Sequence, residues 1–179
     1  MTEPRSRMAE RAVALQRDFD ESFALPARGL AADRIELLAI QLGGDPHAIR
    51  LAEIDGLFAD RRITPVPGPV PELCGLASLR GALVPVYDLR LLLGYTPGGP
   101  PPRWLVLAAA APVGLAFDQL DRHAMAAPED IVAEPAGAGG AARQVVRVQG
   151  GTGATLLHLP SLLKEIRTRA LRGHPRQER

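Results

Sequence analysis

Leu79-Arg80-Gly81-Ala82-Leu83-Val84-Pro85-Val86-Tyr87-Asp88-Leu89-Arg90 is the stretch whose reading decides the fold. Ala82, Val84 and Val86 fall on one side of an extended strand and Leu83, Pro85 and Tyr87 on the other, so apolar residues on both sides predict a strand covered on both faces. Gly81 marks a tight turn just before it, with Arg80 at the rim. Asp88 stands where the alternation ends and a leucine run begins. It reads as the N-cap of a short helix that Gly94 closes.

Outward from that strand, short extended segments recur. Ile35 to Leu42 and His47 to Leu51 predict a hairpin about the turn-forming Gly43-Gly44-Asp45-Pro46. Ile54 to Phe58 continues as strand or helical turn. Pro65, Pro67, Pro69 and Pro71, at every second position, exclude a central strand between Ile63 and Pro71. Pro97 to Pro102 forms a linker-like break. Beyond it, Trp104 to Ala111 and Val113 to Phe117 predict a second hairpin, and Asp118 to Arg122 continues outward. Val145 to Val148 and Thr155 to Leu159 predict a last strand pair around Gly150-Gly151-Thr152-Gly153. Pro160 to Arg167 suits a short helix with Pro160 at its first position. Two strand sets, each followed by a leucine-rich short helix, hint at a repeat of barrel-like halves.

The ends differ in texture. Within residues 1–34, Met8, Ala12, Leu15, Phe19 and Phe23 form one helical stripe, which Pro26 and Gly29 terminate. Packing on its own domain is the ordinary role for such a helix, and a partner-docking arm is the alternative. Residues 136–142, rich in Ala and Gly, lack apolar bulk and are expected to be a mobile loop. From residue 168 the chain is a basic tail, expected to be frayed and solvated.

Composition narrows the function. A chain of 179 residues buries on the order of 70% of its unfolded surface without needing disulfides or metals. Cys74 is the single cysteine, no leader pattern opens the chain and no apolar run has membrane-spanning length, so a cytoplasmic protein without direct membrane insertion is expected. The formal charge of +1 argues against a nucleic-acid binder. Lys164 is the lone lysine among 21 basic residues, which we attribute to coding bias.

Enzymatic chemistry finds little support. No phosphate-binding loop is present, because Gly150 to Gly153 lacks the following Lys-Ser/Thr and precedes a strand. His47, His123, His158 and His174 have no metal-ligand spacing. Cys74 with His158 and Asp118 is the one catalytic combination worth stating, as a hydrolytic or small-molecule-binding β-barrel. The local context of Cys74 is that of a small buried hydrophobe. Arg80 is different. Between two apolar positions at a turn, its guanidinium is presented on a rigid support suited to bidentate contact with a partner's carboxylate or carbonyls.

The run from Cys74 to Arg90 resembles the CheW-like domain family, whose hallmark is an Asn-Leu-Arg-Gly turn followed by a Pro-containing strand and Asp-Leu-Arg. Leu37 to Gly43, Ile54 to Leu57, Val113 to Leu120 and Leu156 to Leu163 extend the likeness, in order, across residues 35–167. The resemblance implies a mainly β fold of two five-stranded, SH3-like barrels with short connecting helices, the break near 97–102 separating the halves. It implies a non-enzymatic adaptor without cofactors, coupling the cytoplasmic tips of methyl-accepting chemoreceptors to the regulatory domain of a CheA-type histidine kinase in membrane-associated arrays. Scaffolding of a non-motility signalling system is the variant within the family. Positions matching the family's receptor contacts are Ile54, Gly75 and Arg80. This chain departs from the pattern at several points. Ser78 replaces the turn's Asn, and Gly56 stands where an acidic partner for the turn arginine is usual, leaving Asp55 or Asp60 to substitute. His158 and Pro160 are unusual at the last helix.

Overall fold

The computed structural model describes residues 34–68, 70–134, 143–147 and 153–172. The amphipathic stripe in 1–34, the loop at 136–142, the tip of the last hairpin at 150–152 and the end of the basic tail lie outside them. Eleven strands are described: β1 (Ile35–Leu42), β2 (Asp45–Arg50), β3 (Ile54–Ala59), β4 (Leu73–Leu79), β5 (Ala82–Asp88), β6 (Trp104–Ala108), β7 (Gly114–Phe117), β8 (Gln119–Ala126), β9 (Ile131–Glu134), β10 (Arg143–Val146) and β11 (Ala154–Leu157). The helices are α1 (Leu89–Leu92) and α2 (Leu159–Arg172).

The strands form two sheets, in the orders β8-β1-β2-β11-β10-β9 and β3-β6-β7-β5-β4. This order corrects the expected division at 97–102. Strands β6 and β7, beyond that break, join β3, β4 and β5 in one sheet, and β8 crosses back to pair with β1. The chain therefore opens one barrel, builds the whole of the other from β3 to β7, and returns to complete the first. The Pro-Gly loop is internal to the second barrel. Parallel pairings of β5 with β7 and of β11 with β2 place the returning strands.

Period-two alternation explains the packing. In β1, Leu37 lines the interior of its own barrel with Ala48, Ala124, Ala126, Val146 and Leu156, while Leu38, Ile40 and Leu42 face the other way. In the five-stranded sheet, Val84, Val86, Leu105, Leu107 and Ala116 fill the barrel, and Tyr87, Val106, Leu115 and Phe117 face out of it. The outward sets from both sheets meet in one shared core, sealed by Leu89 and Leu92 of α1 and by Leu159, Leu162 and Ile166 of α2. A strand with an interior on each side must be apolar on both faces. The first residues of β5 depart from that expectation, since Leu83 is 68% exposed. Here the β4–β5 hairpin projects past the core, and covering begins at Val84.

Asp88 caps α1 as expected: its Oδ1 accepts from the Arg90 backbone N–H at 2.8 Å. It does more than cap. Arg90 Nη2 donates to Asp88 Oδ2 at 2.9 Å and its Nε reaches Oδ1 at 3.2 Å, both side chains being nearly buried. Arg90 Nη1 also lies 3.0 Å from Asp118 Oδ1, an ionic contact off the hydrogen-bond direction, and donates to the Gly98 carbonyl. Asp118 Oδ2 accepts from the Gly43 backbone N–H in the two-residue β1–β2 turn, so this network ties one barrel to the other.

Helix α2 begins at Leu159, one residue before Pro160, and continues past Arg167 to Arg172, so the first part of the expected tail is helical. Its orphan Leu159 N–H donates to Glu53 Oε2 at 2.7 Å across the fold. Arg169 pairs with Glu72 beside β4 and with Glu165 one turn back, which gives the basic segment a reason to stay helical.

Replacing Asp88 by Ala removes a cap and leaves a nearly buried guanidinium with one partner fewer. Thermal unfolding should show a loss of about 3 kcal/mol, or roughly 6–12 °C in Tm. A loss near 1 kcal/mol would reduce Asp88 to a simple cap. Glu53→Ala should cost about 1–2 kcal/mol by unpairing the α2 N-terminus, with Glu53→Gln recovering most of it because an amide oxygen still accepts. Equal losses in the two variants would contradict the capping role.

Candidate functional site

The turn between β4 and β5 has Arg80 and Gly81 as its two central residues, with Leu79 opposite Ala82. Both are left-handed, Arg80 at φ +50° and Gly81 at φ +81°, the geometry that matches the twist of a two-residue hairpin. Asn or Gly serves that first position at lower cost than a long side chain with a Cβ. Arginine therefore stands there against the local backbone preference.

Its guanidinium is aimed across the sheet. Strand β3 carries a bulge between Ile54 and Gly56, so Asp55 is the extra residue, opposite no partner on β6. A bulge bends the strand and redirects the extra side chain. Asp55 uses that freedom: Arg80 Nη1 donates to Asp55 Oδ2 at 2.8 Å and Nη2 donates to the Asp55 carbonyl at 2.6 Å. Strands β3 and β4 are the two edges of the sheet, so this pair bridges its open seam. Both side chains remain half exposed. Of the two substitutes for the missing acid at Gly56, Asp55 takes the place, and Asp60 is occupied by Arg103 at 3.0 Å.

Gly75 answers a different requirement. It has φ +143° at a bulge in β4, and a Cβ there would stand 2.1 Å from the Thr64 carbonyl oxygen. Thr64 exchanges both backbone hydrogen bonds with Leu76, at 2.8 and 2.9 Å, so only glycine allows the Pro-rich segment to lie against the edge of β4. Gly75 is buried beneath that segment. Ile54 is half buried against the shared core, beside Asp55. Ile54 and Arg80 thus border one bulge, while Gly75 lies under the strap at the other edge of the sheet.

The catalytic alternative loses its parts. Cys74 sits beside the β4 core, and burial, then the Asp88 carboxylate, pushes its thiol up to about 11, opposite to what a nucleophile needs. His158 Nδ1 lies 2.7 Å from Ser161 Oγ at the start of α2, and Asp118 serves Arg90 and Gly43. Among the described residues none of the three hydrogen bonds to another, and no group of His, Cys, Asp and Glu has the arrangement of a metal site. Among the described residues no helix is long and apolar enough to cross a membrane.

A cleft of about 1070 Å³ opens between β2, β11 and the start of α2. Its polar walls are internally paired: Arg50 with Glu53 and Gln144, and Tyr95 Oη donating to Asp45 at 2.7 Å. Glu53 is the residue that sequence reasoning misses here. Its signal, a carboxylate just ahead of β3, becomes meaningful only when α2 arrives beside it.

The thiol's elevation has a direct consequence for reactivity. At pH 8 a shift from 9 to about 11 lowers the thiolate fraction roughly a hundredfold, so Cys74 in the folded chain should react with iodoacetamide far more slowly than in denaturant. Similar rates in the two states would restore the nucleophile reading.

Known proteins share this arrangement. The family model described as the CheW-like domain matches residues 36–167. A chemotaxis protein CheW of Bacillus subtilis is 33% identical over 55 residues, 31% of this chain and 35% of that protein. A probable chemotaxis protein CheW of Rhizobium etli is 27% identical over 74 residues, 41% of this chain and 48% of its own length. The matched segments thus span a third to a half of those relatives. The scaffolding protein TtCheW from Thermoanaerobacter tengcongensis has the same fold, with a TM-score of 0.61 over 70% of this chain and 90% of that one, at 16% identity. With two SH3-like barrels about one shared core, and a family match that runs from β1 into the last helix, the chain belongs to the CheW-like domain family.

Proposed function

We propose that the chain is a non-catalytic adaptor that joins the cytoplasmic tips of methyl-accepting chemoreceptors to the regulatory domain of a CheA-type histidine kinase, and that it works at membrane-associated receptor arrays. The observation that carries this reading is Arg80. A residue held left-handed against its own preference, half exposed and oriented by a neighbouring carboxylate, is shaped for contact more than for stability. Exposed ion pairs contribute about 0–1 kcal/mol, so folding alone gives weak reason for an arginine there.

The three positions divide the work. Arg80 makes the polar contact with the receptor, exchanging or sharing Asp55 with a carboxylate or carbonyl on the tip. Ile54 supplies an apolar flank beside the bulge. Gly75 acts through the backbone, by letting the Pro-rich segment cover β4. The exposed Leu83 stands in the same hairpin and adds apolar surface near the turn. Kinase contact belongs to barrel ends away from this hairpin.

Capture assays with purified CheA and a receptor tip fragment test the proposal. The chain should retain both partners. Arg80→Ala should lower receptor capture by about fivefold or more, leave kinase capture intact, and move Tm by no more than about 2 °C. A folded chain that captures neither partner contradicts the adaptor role. An Arg80→Ala variant that loses several kcal/mol would recast the arginine as a structural clasp.

A further inference from the structure

Positive charge gathers along β3 and just beyond its end. Four arginines, Arg61, Arg62, Arg80 and Arg103, stand against two carboxylates. Asp55 is taken by Arg80 and Asp60 by Arg103. Arg61 and Arg62 are exposed, and among the described residues neither lies within ion-pair distance of a carboxylate. Two positive charges are left over in one region of a chain whose formal net charge is +1.

Phe58 joins that excess to the Arg80 turn. The Arg61 guanidinium carbon lies 5.3 Å from the Phe58 ring centroid. On the other side, the space above Gly56 is bordered by Phe58 Cε2 and by Arg80 Nη2, which a Cβ at that position would meet at 2.9 and 3.3 Å. The missing side chain at Gly56 is thus what lets the ring lie beside the Arg80 guanidinium. The backbone supports the arrangement: Asp60 turns the chain out of β3 at φ +53°, and its N–H donates to the Arg103 carbonyl at 2.9 Å.

We propose that Arg61 and Arg62, with Phe58 as an apolar platform, extend the Arg80 site into an anion-binding flank that takes carboxylates on an acidic face of the partner. The inference rests on the reading that Arg80 meets the receptor tip, and it adds the chemistry of that tip. A guanidinium lying over a ring is weakly hydrated and partly pre-ordered, so it gives up little water and little freedom on meeting a carboxylate. Unpaired charge at an exposed rim also steers encounter, in a manner that salt suppresses.

The test measures affinity for a fluorescently labelled soluble chemoreceptor tip fragment at low and moderate salt. Arg61→Glu/Arg62→Glu should weaken binding about tenfold or more at low salt and flatten the salt dependence, with Tm nearly unchanged. A tip fragment whose surface glutamates are replaced by lysine should bind this variant better than it binds the unaltered chain. Equal affinity and equal salt dependence for the variant and the unaltered chain would overturn the flank while leaving the Arg80 reading in place. No binding by the unaltered chain would overturn both. Phosphatidylserine vesicles without receptor provide the remaining arm: capture that disappears in the double variant would assign the arginines to a lipid surface and also overturn the proposal.

Discussion

The whole arrangement depends on strands that are buried from two sides at once. β1, β5, β6 and β7 each contribute alternate residues to a barrel interior and the residues between them to the core that both barrels share. Hydrophobic burial scales with area removed from water, and the shared core holds the larger side chains, including Phe117, Tyr87, Ile40 and several leucines. The interior of the six-stranded barrel is filled largely by alanine. Neither barrel can keep its outward face covered without the other. The helices α1 and α2 close the perimeter of that joint surface, and polar ties fix them: Asp88, Arg90 and Asp118 at one, Glu53 at the other.

This constraint explains what the sequence made legible. The mostly apolar run at Ile35 to Leu42 and the continuous one at Trp104 to Ala108 are what double burial demands, and both are strands. Asp88 reads as a cap because capping is local. Sheet membership is not local. A Pro-Gly loop between Pro97 and Pro102 has the same composition whether it separates two barrels or crosses within one, and only the pairing of β6 and β7 with β3 and β5 decides between them. The α2 C-terminus was obscured in the same way. Its arginines resemble a solvated tail until Arg169 meets Glu72, which lies far away in sequence.

The site shows the same boundary between local and distant information. The turn glycine, the strand after it and the rim position of Arg80 follow from a dozen consecutive residues. That Asp55 would be its partner depends on a bulge, an extra residue whose presence becomes visible only against the register of β6. The loss of acidity at Gly56 and the gain of a bulged Asp55 then become two parts of one rearrangement: the carboxylate arrives from the neighbouring position, and Phe58 fills the space the glycine leaves. The requirement for glycine at position 75 is likewise non-local: it is steric and comes from Thr64.

The central claim is that the Arg80–Asp55 pair exists for contact and contributes little to folding. A double-mutant cycle on Arg80 and Asp55, read both as unfolding free energy and as receptor-tip affinity, tests it most directly. The account predicts a coupling below about 1 kcal/mol in stability, as for half-exposed ion pairs, together with a clear coupling in affinity. A coupling of about 2 kcal/mol or more in stability, with affinity unmoved, would contradict it.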